Sequence, residues 1–339
     1  MKIFDIYIKN FRKFDCFDIS FDDKFLIKGC TGSGKTSIIE SCYFSISGKS
    51  FRTSHLKDVV KSDSENLYVK CNMEDISGFK REITSGLDRS GNKKIMLDGA
   101  PVSRKELINS VKYMVHTPDD MDIIEGVPSK RRDFLDKAVF IEDGSYYDDL
   151  MNYFRYLKHK SLSLKKGNGK AVIYLNEAAI PLINKIRDRR MDICSKINCE
   201  ISETVKKIFP GLILDVSSYT DENPGEKLNM KLEKEMEKGY PLYGPHLDTV
   251  NIKYQVGESK NMSMGEKYLI SVILKLSELY LHAKAGIYPV FFIDDAFVFL
   301  DDEKKQMLLD TVMNLKNQVI MTTSVNMPDT YDKLKVFSF

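Results

Sequence analysis

The first 28 residues alternate apolar and polar positions in three short runs rich in β-branched and aromatic side chains. Such alternation predicts strands. After Thr36 the apolar residues change to helical spacing, and Gly48 is placed to end that helix. The chain is therefore expected to open with strands, a loop and a helix.

Residues 66–103 return to strand patterning, with Asp98 and Gly99 forming a dipeptide favoured in tight hairpin turns. This stretch predicts an antiparallel β lobe. From about 144 to 209 the strand pattern gives way to two helical stretches joined by the glycine turn 167–169. Pro181 should kink or split the second helix, and Pro210 and Gly211 should end it.

Helical and strand patterns alternate again after residue 235. Helices are expected at 264–284 and 302–316, and strands at 289–294 and 318–324. The pattern indicates a central α/β domain interrupted by a helical insertion. We predict three segments: the N-terminal part of the α/β head at 1–138, a helical arm at 139–235 and the C-terminal part of the head at 236–339.

Composition is that of a folded globular protein, since 42% of the 339 residues are hydrophobic and 29% are charged. The apolar runs are far shorter than the roughly 20 residues of a membrane span, and the charged N-terminus does not resemble a signal peptide. We therefore expect a cytoplasmic protein, associated with the nucleoid if it binds DNA. The six cysteines form no CxxC pair, which favours reduced, packing cysteines.

The strongest chemical signal is the segment 29–36, GCTGSGKT, which satisfies the phosphate-loop pattern GxxxxGK[ST] between a predicted strand and a predicted helix. Backbone N–H groups of such a loop converge on phosphate oxygens, Lys35 reaches the β and γ phosphates, and the Thr36 hydroxyl ligates Mg²⁺. ATP and Mg²⁺ are the expected cofactors. The predicted nucleotide-binding residues of the loop are Gly29, Cys30, Thr31, Gly32, Ser33, Gly34, Lys35, Thr36 and Ser37.

A magnesium carboxylate should stand at the end of a buried strand. The apolar run 290–293 has no alternation, as expected of a parallel strand covered on both faces, and it ends at Asp294. Asp294 is the predicted metal ligand together with Thr36. Asp295 stands where ABC-type ATPases place the carboxylate that orients or deprotonates the attacking water. The alternative is that both acids cap the next helix.

Residues 261–267, NMSMGEK, precede a long helix and look like a shortened ABC signature, in which Ser263 and Gly265 would contact the γ phosphate held by a partner subunit. The plainer interpretation is that Ser263 is an N-cap. Because the chain carries one phosphate loop and one such signature, a complete site would need two copies, so ATP should promote a homodimer.

Taken together, these motifs resemble the RecF family, the bacterial recombination mediator ATPases related to SMC proteins. The resemblance runs nearly end to end and is carried by the following segments: KNFRKF (9–14), the phosphate loop, GKSFRTS (48–54), HTPDDMDIIEGVPSKRRDFLD (116–136), YGPHLD (243–248), MSMGEK (262–267), LKLSEL (274–279) and FIDDAFVFLDDE (292–303).

The resemblance implies an α/β fold with an ABC-type P-loop ATPase head, an antiparallel β lobe and an inserted short helical arm. It also implies ATP-dependent dimerisation on double-stranded DNA at gaps or junctions, slow DNA-stimulated hydrolysis of ATP, and cooperation with RecR and RecO in loading RecA. By resemblance only, Arg12 approaches the nucleotide and Arg52 senses DNA near it. Two segments depart from the family pattern: the signature differs from the family's usual SQGQQR, and Val298-Phe299 replaces Ser-Glu. These departures should affect the strength of the dimer and the rate of hydrolysis.

The helical arm carries a local excess of positive charge that the overall net charge of +2 does not reveal. Residues 145–190 hold ten basic and four acidic residues, a net of +6, whereas the rest of the chain has 41 basic and 45 acidic residues. Such a patch suits sequence-independent binding of DNA phosphates, although it is also compatible with a solvated helix face. The predicted DNA contacts on the arm are Lys165, Lys166, Lys170, Arg187, Arg189 and Arg190.

Three alternatives remain open. A structural SMC-like tether would need arms of hundreds of residues, whereas the predicted helical hairpin has only a few tens. A RecF-like ATPase of a mobile element or phage-defence system would act on a protein effector and not on RecR. A binding module would hold ATP without turnover.

Overall fold

The structure, a computed structural model, describes residues 1–209, 212–218, 223–256, 262–325 and 334–339. Contacts divide the chain into two compact units, which we call the first unit (1–120 with 263–339) and the second unit (121–262). The second unit extends beyond the arm expected at 139–235 on both sides, and the narrower boundaries of that arm remain a proposal. In the described part of the chain, no helix is long and apolar enough to cross a membrane.

A five-stranded parallel sheet forms the centre of the first unit, in the order β13-β3-β12-β11-β8. β11 is apolar and buried throughout, as expected where helices cover both faces of a parallel sheet, and every residue of β12 is buried as well. The strands are β3 (Lys24–Lys28), β8 (Tyr113–His116), β11 (Val290–Ile293), β12 (Val319–Thr323) and β13 (Lys335–Ser338), and the helices are α1 (Lys35–Ser47), α8 (Met264–Lys284) and α9 (Asp302–Met313).

The predicted antiparallel lobe is also present in the first unit, as a six-stranded sheet in the order β2-β1-β4-β5-β6-β7. Alternate side chains of its longer strands are buried in a core shared with α1, where Ser85 Oγ donates a hydrogen bond to the Ser45 carbonyl. Its elements are β1 (Lys2–Phe11), β2 (Phe14–Ser20), β4 (Asn66–Glu74), β5 (Lys80–Asp88), β6 (Lys93–Leu97) and β7 (Ala100–Pro101), followed by the helix α2 (Arg104–Ser110).

The second unit is mostly helical. Its elements are α3 (Asp122–Glu125), α4 (Pro128–Glu142), α5 (Tyr146–Lys165), α6 (Gly169–Ile208), β9 (Leu212–Ser218), α7 (Pro224–Lys238) and β10 (Val250–Val256). The two long helices and the glycine turn between them agree with the sequence prediction, and β9, which pairs antiparallel with β10, was missed.

Of the two expectations for α6, the structure tests one. The helix runs through Pro181 without being divided. Pro181 is exposed, and so is Glu177, whose carbonyl loses its N–H donor and can bond to water instead. The predicted stop at Pro210 and Gly211 lies outside the described residues.

The core of the second unit contains buried ion pairs. Arg190 Nε donates to Asp136 Oδ1 at 2.8 Å, and the Tyr146 hydroxyl donates to the same oxygen at 2.6 Å. Arg187 Nε donates to Asp248 Oδ2 at 2.9 Å. Arg187 is 5% exposed and Arg190 is 2% exposed, so neither faces a ligand in solution. Their predicted role as DNA contacts is corrected: charge counting along a helix cannot detect acidic partners that lie 61 and 54 residues away in the sequence.

The Arg190 pair gives a stability prediction. Arg190→Met should lower the free energy of unfolding by about 3–5 kcal/mol, because Asp136 would remain buried without its cation. Urea denaturation followed by circular dichroism measures this loss. Lys166→Met, at an exposed position near the end of the same hairpin, should change the free energy by less than about 0.5 kcal/mol. Equal effects of the two substitutions would show that breaking the buried ion pair does not lower the free energy of unfolding.

Candidate nucleotide-binding site

The phosphate loop connects β3 to α1 at the carboxyl edge of the parallel sheet. Gly34 is the N-cap of α1 with φ +104°, a left-handed conformation that favours glycine, and no side chain caps the helix. The first-turn N–H groups of α1 are therefore left for an anion. Lys35 Nζ donates to the carbonyl oxygens of Gly29 and Cys30 at 2.8 and 2.9 Å, so the ammonium is held over the loop where phosphate would bind.

One buried polar atom of the loop lacks a partner. Within the described residues, the Ser33 hydroxyl oxygen is buried and makes no hydrogen bond. An unsatisfied donor in a loop of this shape fits a phosphate oxygen. The residues present therefore fit the triphosphate that the sequence predicts.

The predicted metal ligands lie together. Thr36 Oγ1 donates to Asp294 Oδ1 at 2.8 Å, although the two residues are 258 positions apart. Burial raises the pKa of Asp294, and hydrogen bonds from Thr322 and Thr36 act in the opposite direction. A hydroxyl and a carboxylate oxygen side by side are the hard ligands that Mg²⁺ prefers, so the donor set fits this metal.

Thr322 is a site residue that sequence reasoning missed. It lies on β12 and is fully buried. Its Oγ1 donates to Asp294 Oδ1 at 2.7 Å and accepts the backbone N–H of Asp295 at 2.9 Å. Asp295 itself has φ +48°, which Asp tolerates better than most residues. Thr322 thus orients both acidic residues that follow β11.

The signature segment starts α8. Ser263 is an exposed N-cap that forms a capping box with Glu266: Glu266 N donates to Ser263 Oγ at 3.2 Å, and Ser263 N donates to Glu266 Oε2 at 2.7 Å. A Cβ at Gly265 would lie 2.8 Å from the carbonyl oxygen of Phe299, so a glycine is required for this close approach. The N-cap interpretation of Ser263 therefore holds in this structure, and its role toward a partner's phosphate remains a proposal. Asn261 lies outside the described residues.

Arg12 and Arg52 meet on one carboxylate. Glu40, fully buried on α1, accepts Arg12 Nε at 2.9 Å and Arg52 Nη1 at 3.3 Å. The next residue, Lys13, was not predicted. Its Nζ donates to the Gly32 carbonyl at 2.9 Å and lies 5.6 Å from the centre of the Phe14 ring. The turn between β1 and β2 therefore contacts the phosphate loop directly.

The remaining predicted DNA contacts lie on the second unit. Lys165, Lys166 and Lys170 are exposed around the glycine turn. Arg189 is partly buried, with Nη2 2.9 Å from Asp143 Oδ2 and Nη1 3.3 Å from Asp149 Oδ2. Of the predicted contacts on the second unit, the three lysines stay accessible, and the charge of Arg189 is partly matched by carboxylates.

Comparison with protein families gives a match over nearly the whole chain. The family described as the RecF/RecN/SMC N terminal domain matches residues 2–335. Among curated proteins, the chain is 28% identical to the DNA replication and repair protein RecF of Geotalea uraniireducens (strain Rf4), covering 96% of this chain and 93% of that protein. It is also 28% identical to the RecF protein of Clostridioides difficile (strain 630), covering 100% and 96% respectively.

Solved structures agree on the fold. The recombination mediator protein RecF with ATP, described as part of the RecFOR pathway, has a TM-score of 0.85 and 26% identity, covering 95% of this chain and 93% of that one. An Smc head bound to the C-winged helix domain of ScpA has a TM-score of 0.63 at 17% identity, covering 96% and 90%. The expected ABC-type ATPase fold is confirmed.

The contacts of Asp294 generate a prediction about metal binding. Thr322→Val should weaken Mg²⁺ binding in the presence of nucleotide by about tenfold, because one hydrogen bond to the carboxylate is lost. The metal needs the ionised carboxylate, and loss of the donor raises the pKa of Asp294 further. The pH below which binding fails should therefore move upward. Electron paramagnetic resonance with Mn²⁺ as the probe, across pH 5 to 8, measures both changes.

A matched control is available on α9. Thr311 is a mostly buried threonine whose hydroxyl donates to the Met307 carbonyl at 2.8 Å. Thr311→Val should leave the metal affinity and its pH profile as in the unmodified chain. If Thr322→Val behaves like this control, the threonine does not support the metal site.

Proposed function

The chain belongs to the RecF/RecN/SMC N terminal domain family, and on that premise we propose that it is an ATP-driven clamp on double-stranded DNA that dimerises when ATP binds. Nucleotide binding and a place among the DNA replication and repair proteins follow from its RecF relatives. The proposed cycle consists of ATP binding, closure of a homodimer on DNA, slow hydrolysis stimulated by DNA, and release.

The observation that carries the proposal is the meeting of Thr36 and Asp294 beside an uncapped helix N-terminus. This arrangement offers a positive helix end and Lys35 to the phosphates, and two oxygen ligands to Mg²⁺. When bound, Mg²⁺ neutralises charge on the phosphates. Lys35 and the N–H groups of α1 hold the triphosphate in place.

Asp295 is the proposed acceptor of the proton from the attacking water. It is half-buried, and Thr322 fixes its backbone next to the metal carboxylate. A single carboxylate in that position supports hydrolysis, and the proposed dimer adds a donor on the far side of the γ phosphate. Ser263 and Gly265 of a second copy would supply it, and the exposure of Ser263 is compatible with that role.

The proposed partners follow from the relatives. A RecF protein of the RecFOR pathway is similar over nearly its whole length, so we propose that this chain acts with RecR and RecO in loading RecA at gaps and stalled forks in the cytoplasm. The alternative, action on a protein effector of a mobile element or defence system, would leave the ATP site unchanged. DNA affinity compared between ADP and a non-hydrolysable ATP analogue separates them, since only the clamp should bind duplex more tightly with the analogue.

Dimerisation should depend on Lys35. Lys35→Ala should abolish the ATP-dependent shift from monomer to dimer in analytical ultracentrifugation, because the ammonium that neutralises the β and γ phosphates is lost. Lys316→Ala, at an exposed lysine after α9, is the control and should dimerise normally. A dimer that forms without regard to ATP or Lys35 would contradict the proposed cycle.

Hydrolysis should depend on Asp295. Asp295→Asn should bind ATP with near-normal affinity but hydrolyse it at least about a hundredfold more slowly, since removal of a general base typically costs that much. The variant should accumulate as an ATP-bound dimer on duplex DNA. Single-turnover hydrolysis with and without duplex provides the measurement. Unchanged turnover would place the water elsewhere, and no turnover in the unmodified chain would favour the binding module.

A further inference from the structure

His116, the last residue of β8, is joined through its backbone to the segment that carries the two acidic residues of the nucleotide site. β8 and β11 pair in parallel, with His116 opposite Ile293. The backbone N–H of Asp294 donates to the His116 carbonyl at 2.9 Å. The end of β8 therefore fixes the point at which the chain leaves β11 and enters the acidic segment.

The side chain of His116 is fully buried against α8. Its ring stands edge-on to the ring of Tyr268, with 5.0 Å between the ring centres and an interplanar angle of 87°. Its Nε2 lies 2.8 Å from the hydroxyl oxygen of Ser271. One residue of β8 thus contacts β11 through its backbone and the helix that follows the predicted signature through its side chain.

The hydrogen bonds of Ser271 determine which ring nitrogen of His116 carries the proton. A hydroxyl has one hydrogen, and Ser271 Oγ donates it to the Tyr268 carbonyl at 2.7 Å. Nε2 is therefore the donor to Ser271, and Nδ1 holds a lone pair. Burial lowers the pKa of His116 to about 4, so the ring is neutral near pH 7. Within the described residues, Nδ1 is buried and has no hydrogen-bond partner, so Nε2 alone fixes the ring by hydrogen bonding.

Tyr268 contacts the other end of the same acidic segment. Its hydroxyl donates to the Ala296 carbonyl at 2.7 Å. Burial raises the pKa of Tyr268, and the charge of Asp295 raises it further, so the hydroxyl keeps the proton that it donates. The segment 294–296 is therefore held at its first residue by the backbone of His116. At its last residue it is held by Tyr268, whose ring packs on the His116 side chain.

Packing alone does not account for a histidine at this position. A ring nitrogen that leaves water without gaining a hydrogen bond costs free energy, and a phenyl ring would fill similar space without that cost. The Nε2 hydrogen bond, in contrast, fixes the orientation of the ring, which an apolar contact restrains less. The retained polar atom indicates that the orientation of His116 serves the neighbouring site.

We propose that His116 is a positioning residue for ATP hydrolysis, which through Ser271 and Tyr268 holds α8 against the segment 294–296. This contact keeps the carboxylate of Asp295 directed at the attacking water. The inference rests on the proposed function, which makes Asp295 the proton acceptor, and it adds a residue that needs to touch neither the phosphates nor the metal.

The test measures the single-turnover rate constant of ATP hydrolysis, with Mg²⁺ present and protein in excess over ATP. His116→Phe keeps a ring against Tyr268 but removes the donor, so the rate constant should fall about tenfold, as is typical when a partner that orients a metal-site group is lost. ATP affinity should stay within about twofold, because the phosphate loop is unchanged. His116→Gln, whose amide can donate to Ser271, should recover most of the rate. Packing alone predicts the reverse order, so a faster rate for His116→Phe than for His116→Gln would overturn the inference.

Ser271→Ala tests the other partner of the hydrogen bond. It should slow hydrolysis by a factor similar to that of His116→Phe. The double variant should be no slower than either single variant, since both substitutions remove the same interaction. Losses that multiply in the double variant would show that the two side chains act independently, which contradicts the proposed series of contacts.

His282→Phe is the matched control. His282 is also a fully buried histidine, and it lies on α8 about 16 Å beyond Ser271 along the helix axis. Its replacement removes a buried imidazole at a distance from the acidic segment. The rate constant should stay unchanged, since folded protein remains in excess over ATP even if stability falls. Equal slowing by His282→Phe and His116→Phe would indicate a general effect of core substitution and would overturn the inference.

Nitrogen-15 NMR of protein labelled at its five histidines gives a second readout. His116 should show the signals of a neutral ring protonated at Nε2, and these should move in Ser271→Ala but not in His282→Phe. A ring protonated at Nδ1 would contradict the assigned contact. If the unmodified chain hydrolyses ATP and His116→Phe does so equally fast, the role of His116 is wrong and the proposed function stands. If the unmodified chain hydrolyses no ATP, both fail.

Discussion

The nucleotide site depends on one buried carboxylate that must carry a charge. Asp294 is 6% exposed, and burial raises its pKa, which opposes the ionised form that a metal requires. Two hydroxyls offset this cost by donating to the same oxygen, Thr36 from the helix after the phosphate loop and Thr322 from the adjacent strand. The strand order places β12 between β3 and β11, so the three chain segments can meet only at this edge of the sheet.

The sequence predicted those site residues whose role can be recognised from neighbouring positions in the chain. The phosphate loop is recognisable because glycines, Lys35 and Thr36 stand at fixed spacing, and Asp294 because it ends an apolar run. Thr322 and Glu40 were missed, since each has an ordinary role in its own segment and acquires its partners through folding. Glu40 sits on a helix whose other residues are almost all buried, and only the structure shows that Arg12 and Arg52 reach it.

Contacts in the core of the second unit explain why two of the motifs shared with the RecF family contain so many polar residues. The block RRDFLD supplies Asp136, and YGPHLD supplies Asp248, the carboxylates that hold Arg190 and Arg187. The Arg132 guanidinium of the first motif donates to the Asp248 carbonyl of the second, and His246 Nδ1 of the second lies 2.6 Å from the Tyr153 hydroxyl on α5. A buried network of this kind contributes little net stability but is costly to break, so it fixes one arrangement of α4, α5 and α6.

The start of α8 packs against the segment that follows β11. Tyr268, fully buried on α8, donates its hydroxyl to the Ala296 carbonyl at 2.7 Å, and its ring packs 5.5 Å from that of Phe299. Phe299 in turn places its carbonyl against Gly265. Phe299 therefore packs against the helix that carries the predicted signature. Because Asp295 immediately precedes Ala296, the hydrogen bond from Tyr268 ties the signature helix to the backbone next to the proposed catalytic carboxylate.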